Sequence, residues 1–205
     1  WHESNNQWTY YLPDESIVIE HSDINSILRI GSTVYFGTMF GILYLDLYNR
    51  DWNLIDQTNG LNDSAVWDML EYDGSIFVAT SNGVNELSIV NNSIIPDRSN
   101  QFEELRQFNI YDLEADSQFL YLASDAGLLQ FNWEDAEIVM LSKKIYEKIQ
   151  LEQKSIIGTD GALWIIHDVD EEQYITPNVK DFDICGSYIW SIFGSEATLL
   201  DTMTA

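Results

Sequence analysis

Short apolar runs alternate with glycine-containing turns along most of this 205-residue chain. Five of these runs share one arrangement, in which an aromatic residue stands among apolar neighbours and a turn follows. The aromatic residues are spaced by 42, 44, 43 and 26 positions. Three nearly equal steps indicate an internal repeat, and we interpret the short fourth step as a trimmed unit. The five aromatic residues are Tyr35, Phe77, Tyr121, Trp164 and Trp190.

Each full repeat divides into four runs that are typical of β-strands. Gly41 in the first repeat, and Asp73-Gly74 and Asn82-Gly83 in the second, mark the turns between runs. Turn residues at intervals of about ten positions favour an all-β fold. A period in the forties with four strands per unit favours a β-propeller among such folds. In the first repeat the predicted strands are residues 24–30, 34–37, 42–47 and 52–55.

The number of repeats predicts the number of propeller blades. We expect five four-stranded blades in one domain that covers residues 1–205. Residues 8–12 form an aromatic run that precedes the first repeat much as Trp52 precedes the second, so we expect them to close the last blade as its outer strand. Closure of this kind removes the exposed sheet edges that promote aggregation. The predicted blades are centred near residues 35, 77, 121, 164 and 190.

Residues 143–154 do not fit the repeat. They carry four of the nine basic residues and place Ile145 and Ile149 four positions apart, which permits one or two helical turns between blades. In the alternative, residues 138–141 form an outer strand and the remainder is a long connecting loop. We favour the outer strand and loop.

Several dipeptides of the repeat resemble those of the two-component-regulator propeller repeat. That repeat has a Gly-Leu opening, an apolar strand, an Asp-Gly turn, an aromatic strand that ends in Gly-Thr, and a Gly-Leu turn. The resemblance covers roughly residues 22–195. The matching dipeptides are Gly60-Leu61, Asp73-Gly74, Ala79-Thr80, Gly37-Thr38 and Ala123-Ser124.

The resemblance is weaker in the last two repeats. In the fourth repeat Ile166-His167 stands where the family has Gly-Thr, and the fifth keeps little beyond Ile189-Trp190. The resemblance implies a sensor or surface propeller domain. Because sensor domains of this family are usually longer and seven-bladed, the alternative to five blades is a fragment of a seven-bladed propeller.

The charge of the chain narrows the range of partners. It has 9 Lys and Arg residues against 34 Asp and Glu residues, which gives a formal net charge of −25. A field of this sign repels phosphate, so we expect no nucleic-acid binding. No run approaches the roughly 18 apolar residues of a membrane-spanning helix, so we expect no membrane insertion. The acidic composition favours an extracytoplasmic location, in the periplasm or at the cell surface.

Motifs for catalysis or metal binding are lacking. His2, His21 and His167 show no metal-ligand spacing, and the single Cys185 excludes a disulfide within the chain. There is no Gly-x-Ser-x-Gly nucleophile motif, and no matched pair of acids at apolar strand positions suggests glycoside hydrolysis. We therefore expect no enzymatic activity, no cofactor and no metal site.

Turns on a rigid scaffold are where binding residues concentrate. In a propeller the turns between second and third strands lie on one face, together with the connections that enter each blade. Phe40 and His167 are the strongest individual candidates, because an exposed aromatic ring and an imidazole are unusual in solvated turns. The predicted ligand-binding residues are Thr38, Met39, Phe40, Asn62, Asp63, Thr80, Ser81, Asn82, Ser124, Asp125, His167 and Asp168.

These observations lead to two functional hypotheses. The first is a non-catalytic sensory or interaction module that binds a protein partner or a small ligand on one propeller face. The second is a carbohydrate-binding propeller, either a lectin or a degenerate glycosidase. Repeated aromatic residues in equivalent turns would favour the second, but Phe40 is matched by Asn82 and Ala126 in the next two repeats. That lack of symmetry argues against a multivalent lectin.

The net charge generates a first testable prediction. Because 34 acids face only 9 Lys and Arg residues, the folded chain repels itself, and salt should screen this repulsion. The free energy of unfolding should therefore rise between low salt and about 0.3 M NaCl. Urea denaturation at several NaCl concentrations measures this, and a flat response would contradict it.

Overall fold

The computed structural model describes residues 24–95, 101–152, 155–160, 162–168, 171–179, 181–185, 188–193 and 196–201. Within these ranges nineteen β-strands form five antiparallel sheets. Two short 3₁₀ helices accompany the strands, and no helix in the described ranges has the length and apolar character needed to span a membrane. The 3₁₀ helices are Gln57–Asn59 and Glu103–Gln107.

Each of the first three sheets contains four strands that pair in chain order. The first sheet consists of β1 (Ile24–Ile30), β2 (Thr33–Thr38), β3 (Gly41–Asp46) and β4 (Asp51–Ile55). The second consists of β5 (Val66–Tyr72), β6 (Ser75–Thr80), β7 (Gly83–Ser88) and β8 (Ser93–Ile94). The third consists of β9 (Ile110–Ala115), β10 (Phe119–Ser124), β11 (Gly127–Asn132) and β12 (Ile138–Ser142).

The last two sheets follow the same order. The fourth sheet consists of β13 (Lys148–Glu152), β14 (Ser155–Thr159), β15 (Ala162–Asp168) and β16 (Glu171–Pro177). The fifth sheet has three described strands, β17 (Asp181–Cys185), β18 (Tyr188–Phe193) and β19 (Glu196–Asp201). The predicted closing strand at residues 8–12 lies outside the described residues, so the number of blades stays a prediction.

The first strands of successive sheets pack against one another. β1 contacts β5, β5 contacts β9, β9 contacts β13, and β13 contacts β17. The sheets are therefore arranged around a common axis, with their first strands innermost. This is the architecture of a β-propeller, and the predicted all-β propeller fold is confirmed.

The core consists of apolar layers between neighbouring sheets. Tyr35, Val66 and Ile76 belong to the layer between the first and second sheets, and Phe77 and Phe131 to the layer between the second and third. A central strand is covered on both faces, which is why all six residues of β6 are buried. The near-continuous apolar sequence of such strands follows from this two-sided burial.

A small residue is required where the first and second sheets approach closely. A Cβ atom added at Gly37 would lie 2.8 Å from Cγ1 of Val66 on the second sheet. Real Cβ atoms do not approach this closely, so a larger residue would push the two sheets apart. The small residue that the repeat places here is thus explained by packing.

The fourth sheet corrects the predicted alignment of the repeat. The sequence analysis places Trp164 in a second strand, whereas the structure places it in the third strand, β15. The second strand is β14, which contains no aromatic residue and ends in Gly158-Thr159. The ring of Tyr146, from the preceding connection, occupies the space beside Gly158. An aromatic residue among apolar neighbours fits either central strand, so it could not distinguish the second from the third.

The described part of residues 143–154 also differs from both predicted arrangements, the helical turns and the outer strand followed by a long loop. The outer strand expected at residues 138–141 is present as β12, but Lys148–Glu152 forms β13, the inner strand of the fourth sheet, rather than part of a loop or helix. Ile149 is buried and Ile145 is exposed, so the two do not form one apolar face.

The core layers generate a prediction about stability. Phe77 is fully buried and contacts the rings of Phe102 and Trp133, so Phe77→Ala should lower the free energy of unfolding by about 3–5 kcal/mol. Trp164 is only partly buried, and Trp164→Ala should cost less, about 1–2 kcal/mol. Urea denaturation measures both values. Equal losses would contradict the assignment of Trp164 outside the innermost core.

Candidate functional site

The hairpins that join second to third strands lie at one edge of the first three sheets. Neighbouring strands run in opposite directions, so first-to-second and third-to-fourth turns lie at the other edge. The connections into the second and third sheets also reach the first edge, where Ser81 N donates to Ala65 O (3.1 Å) and Asp125 N donates to Asn109 O (3.0 Å). We call this edge the turn face. It carries ten predicted site residues, namely Thr38, Met39, Phe40, Asn62, Asp63, Thr80, Ser81, Asn82, Ser124 and Asp125.

Three of these residues stabilise the hairpins themselves. The hydroxyls of Thr38, Thr80 and Ser124 each donate to the carbonyl oxygen three residues later, at 2.7–2.9 Å. Each also accepts a hydrogen bond from the N–H two residues later, at 3.1–3.2 Å. All three side chains are buried. The repeated Thr or Ser at this position is therefore explained by turn geometry rather than by ligand contact.

Asn62 and Asp63 hold the connection between the first and second sheets. Asn62 N donates to Oδ1 of the buried Asn85 (2.8 Å), and Asn62 Nδ2 donates to Val84 O (3.1 Å). Asp63 Oδ1 accepts from Ala65 N (2.9 Å). These contacts satisfy polar groups that would otherwise be buried without partners. They make the connection a fixed part of the scaffold.

The first hairpin of the turn face presents exposed apolar side chains. Met39 is 41% exposed and Phe40 is 49% exposed, and they are adjacent at the tip of the first hairpin. Ser81 and Asn82 take their place in the second hairpin and are half-buried, while Asp125 in the third is exposed. We refer to Met39 and Phe40 as the Met39–Phe40 pair. Among the ten predicted residues on the turn face, these two are the large apolar side chains that are exposed.

His167 and Asp168 are not part of the turn face. They end β15, and Asp168 pairs with Glu171 of β16. Because β15 is a third strand, its end lies at the edge opposite the turn face. The structure therefore does not bring these two residues together with the other ten, and the error follows from the alignment of the fourth repeat.

Acidic residues on the inner strands form a cluster that the sequence analysis missed. Asp68 Oδ2 accepts from Leu113 N on the next sheet (3.2 Å), and Asp68 Oδ1 accepts from Ser26 Oγ on the previous one (3.1 Å). Asp112 Oδ2 accepts from Ile149 N on the sheet after that (2.6 Å). Each aspartate thus links the inner strand of its own sheet to that of the next.

Burial changes the acidity of this cluster. Burial, followed by the nearby Asp68 charge, raises the pKa of Asp112 well above its usual value, against the opposing hydrogen bond from Ile149 N. Burial and the Asp68 charge also raise the pKa of Glu114 to about 7, against the opposing charge of Lys148. The inner strands therefore hold acids that are more easily protonated than exposed ones.

The sequence contained a signal for these residues. Asp68 and Asp112 stand at equivalent positions of the inner strands, each between mainly apolar and aromatic neighbours and paired with Ala79 and Ala123. Buried acids in apolar strands usually have specific partners. In the described part of the chain, no group of three or more His, Cys, Asp and Glu side chains is placed to hold a metal ion.

Comparison with known proteins shows similarity in fold. Neither the scan against protein-family models nor the search of curated proteins finds a match. Among solved structures, the extracellular domain of the hybrid two component system BT4673 from B. thetaiotaomicron aligns with a TM-score of 0.71 and 17% identity, over 91% of this chain and 28% of that chain. The resemblance to the two-component-regulator propeller is thus confirmed at the level of fold.

Two further structures agree. The extracellular domain of BT3049 from B. thetaiotaomicron aligns with a TM-score of 0.69 and 12% identity, over 95% of this chain and 30% of that chain. PorZ, a bacterial surface component of the type-IX secretion system of Porphyromonas gingivalis, aligns with a TM-score of 0.64 and 14% identity, over 89% of this chain and 27% of that chain. This chain spans less than a third of each of these structures.

The acid cluster generates a prediction about pH. The pKa of Glu114 rises from 4.5 to about 7 on folding, so the folded chain binds more protons than the unfolded chain in this interval. This contribution to stability is fully present below about pH 4.5 and is lost as the pH rises through about 7. The raised pKa of Asp112 acts in the same direction.

Glu114→Gln removes the titrating group and should flatten the fall in melting temperature between pH 4.5 and 7. Melting curves across this range measure the effect. Glu104→Gln, at an exposed position of the second 3₁₀ helix, is the matched control and should leave the slope unchanged. An unaltered slope in Glu114→Gln would contradict the assignment.

Proposed function

We propose that this chain is a non-catalytic binding module of an extracytoplasmic sensory protein, and that it contacts a protein partner through the turn face. The observation that carries the proposal is the shared fold, over more than nine-tenths of the chain, with extracellular domains of two-component systems. Location and sensory role are both part of the proposal, because the chain corresponds to only a part of those proteins.

The Met39–Phe40 pair supports the choice of surface. Its two side chains form an apolar spot, while the equivalent positions of the next two hairpins, Ser81-Asn82 and Asp125-Ala126, are mainly polar. An exposed aromatic anchor surrounded by a polar rim is typical of protein-protein contact sites. The hairpins beneath are rigid, so the pair is presented in one fixed arrangement, which lowers the entropy lost on binding.

The charge of the chain indicates the chemistry of the partner. A net charge of −25 favours association with a surface whose rim is basic and disfavours acidic surfaces. The expected partner therefore offers an apolar pocket for the Met39–Phe40 pair and positive charge around it.

The hydrogen bonds of the repeated hairpin hydroxyls support a binding role over a catalytic role for the turn face. The side chains of Thr38, Thr80 and Ser124 are buried, and the hydroxyl of each donates a hydrogen bond to a backbone carbonyl oxygen. A hydroxyl held in this way is not paired with a general base, which a nucleophile requires.

The proposal predicts that Phe40→Ala combined with Met39→Ala weakens partner capture roughly tenfold or more, since central aromatic anchors dominate such interfaces. The assay uses the whole chain as bait against envelope fractions of the source cells, with the captured proteins quantified by mass spectrometry. The melting temperature should stay within about 2 °C of the parent, because the pair is exposed.

Tyr48→Ala is the matched control. Tyr48 is 88% exposed and lies in the turn between β3 and β4, at the edge opposite the turn face. Proteins that are captured by the parent chain and by Tyr48→Ala, but not by the double variant, would be partners of the turn face. Equal capture by all three chains would contradict the proposal.

A further inference from the structure

A cavity of about 290 Å³ lies between the second and third sheets, at the edge opposite the turn face. Tyr72 reaches it from the end of β5, Asp73 from the turn between β5 and β6, and Ser117 from the turn between β9 and β10. Trp133 follows the end of β11, and Gln101 belongs to the connection that leads to β9. The cavity uses no residue of the turn face, so it is independent of the surface proposed above.

Four aromatic rings line the cavity. The rings of Tyr72 and Trp133 are parallel within 3°, with centroids 5.8 Å apart, and both side chains are half-buried. Phe77 and Phe102 are fully buried and meet edge to face at 6.0 Å, and Phe77 also lies 5.2 Å from Trp133. Tyr72 and Trp133 thus form an aromatic wall that a ligand can reach, while Phe77 and Phe102 pack behind it with almost no exposed surface.

The wall is held in place by its own contacts. Trp133 Nε1 donates to Asp116 O (3.0 Å), which satisfies the one polar group of the indole. The ring of Phe131 packs edge to face against Trp133 at 5.8 Å. A wall that is positioned before a ligand arrives loses little conformational entropy on binding.

Among the described residues that line the cavity, the one formal charge is negative. Three exposed polar residues complete this described lining, Asp73, Gln101 and Ser117, and it contains no Lys or Arg. Asp73 therefore supplies a negative charge beside the aromatic wall, within a chain of net charge −25. Aromatic faces carry the negative end of the ring quadrupole, so both features attract a cation.

We propose that this cavity binds a small organic cation of the quaternary-ammonium class. Such a group is weakly hydrated, so it leaves water at little cost and its methyl groups pack against the aromatic wall, while its charge is attracted to Tyr72, Trp133 and Asp73. The same charge distribution repels phosphate, sulfate and carboxylate ligands. Binding is independent of the turn face, so loss of the Met39–Phe40 pair leaves it unchanged.

The test compares two ligands of the same shape. Choline carries the quaternary ammonium group, and 3,3-dimethylbutan-1-ol replaces its nitrogen by carbon and is neutral. Titration of the whole chain by calorimetry or ligand-observed NMR should show saturable binding of choline and at least about tenfold weaker binding of the alcohol. Equal binding of the two would show an apolar pocket without selectivity for charge and would overturn the proposal.

Two variants and a control locate the site. Tyr72→Leu keeps an apolar side chain but removes the aromatic face and should weaken choline binding roughly three- to tenfold. Asp73→Asn removes only the charge, and Asn tolerates the positive φ of 48° at this position, so binding should weaken roughly two- to fivefold with little change in melting temperature. Asp51→Asn removes a charge from an exposed strand of the first sheet and should bind choline like the parent chain.

The remaining outcomes are equally decisive. Absence of choline binding at tens of millimolar, or unchanged affinity in both Tyr72→Leu and Asp73→Asn, would overturn the proposal. Saturable binding of neutral monosaccharides in place of choline would assign the cavity to carbohydrate instead.

Vesicles of phosphatidylcholine form a separate arm of the experiment, since they present the same group on a membrane. Binding of free choline but not of vesicles identifies a soluble ligand, and binding of both identifies a headgroup site.

Discussion

Burial of the central strands on both faces is the constraint on which the rest of this structure depends. Every residue of β6 is buried, because one apolar layer separates the second sheet from the first and another separates it from the third. A single sheet of this composition would expose its apolar faces to water, so each sheet is stable only between neighbours. Close approach follows from the same constraint, as Gly37 shows by leaving no space for a Cβ atom beside Val66.

Polar groups near the axis must be satisfied within this apolar environment. Asp68 and Asp112 accept backbone hydrogen bonds from the sheets that follow them, so adjacent sheets are joined by specific contacts as well as by apolar packing. Burial of the Asp112 and Glu114 carboxylates is unfavourable for their charged forms, and their raised pKa values express that cost. The links fix how one sheet sits against the next, and they make the assembly sensitive to pH.

The two edges of the sheets carry different chemistry as a result. At the turn face the hairpin hydroxyls form hydrogen bonds within their own turns. Met39 and Phe40 are exposed apolar side chains on this rigid base. At the opposite edge a cavity between the second and third sheets is lined by aromatic rings, with the exposed Asp73 beside them. One edge is therefore suited to a flat contact with another protein, and the other to enclosure of a small ligand.

The sequence by itself determined the all-β propeller, the strands of the first repeat and the turns of the second, because turn residues such as Gly41 and Asp73-Gly74 and the apolar runs between them act locally. It also placed Phe40 in an exposed turn. It did not determine the strand order of the fourth sheet, since Trp164 and Ile156 satisfy the same apolar pattern and only pairing with neighbouring strands separates a second strand from a third. Only the tertiary structure brought Asp68 beside Asp112, and Tyr72 beside Trp133, because these contacts join residues that are more than forty positions apart on different sheets. Local patterns specify a blade, whereas the positions of charges and rings between blades depend on how the sheets pack.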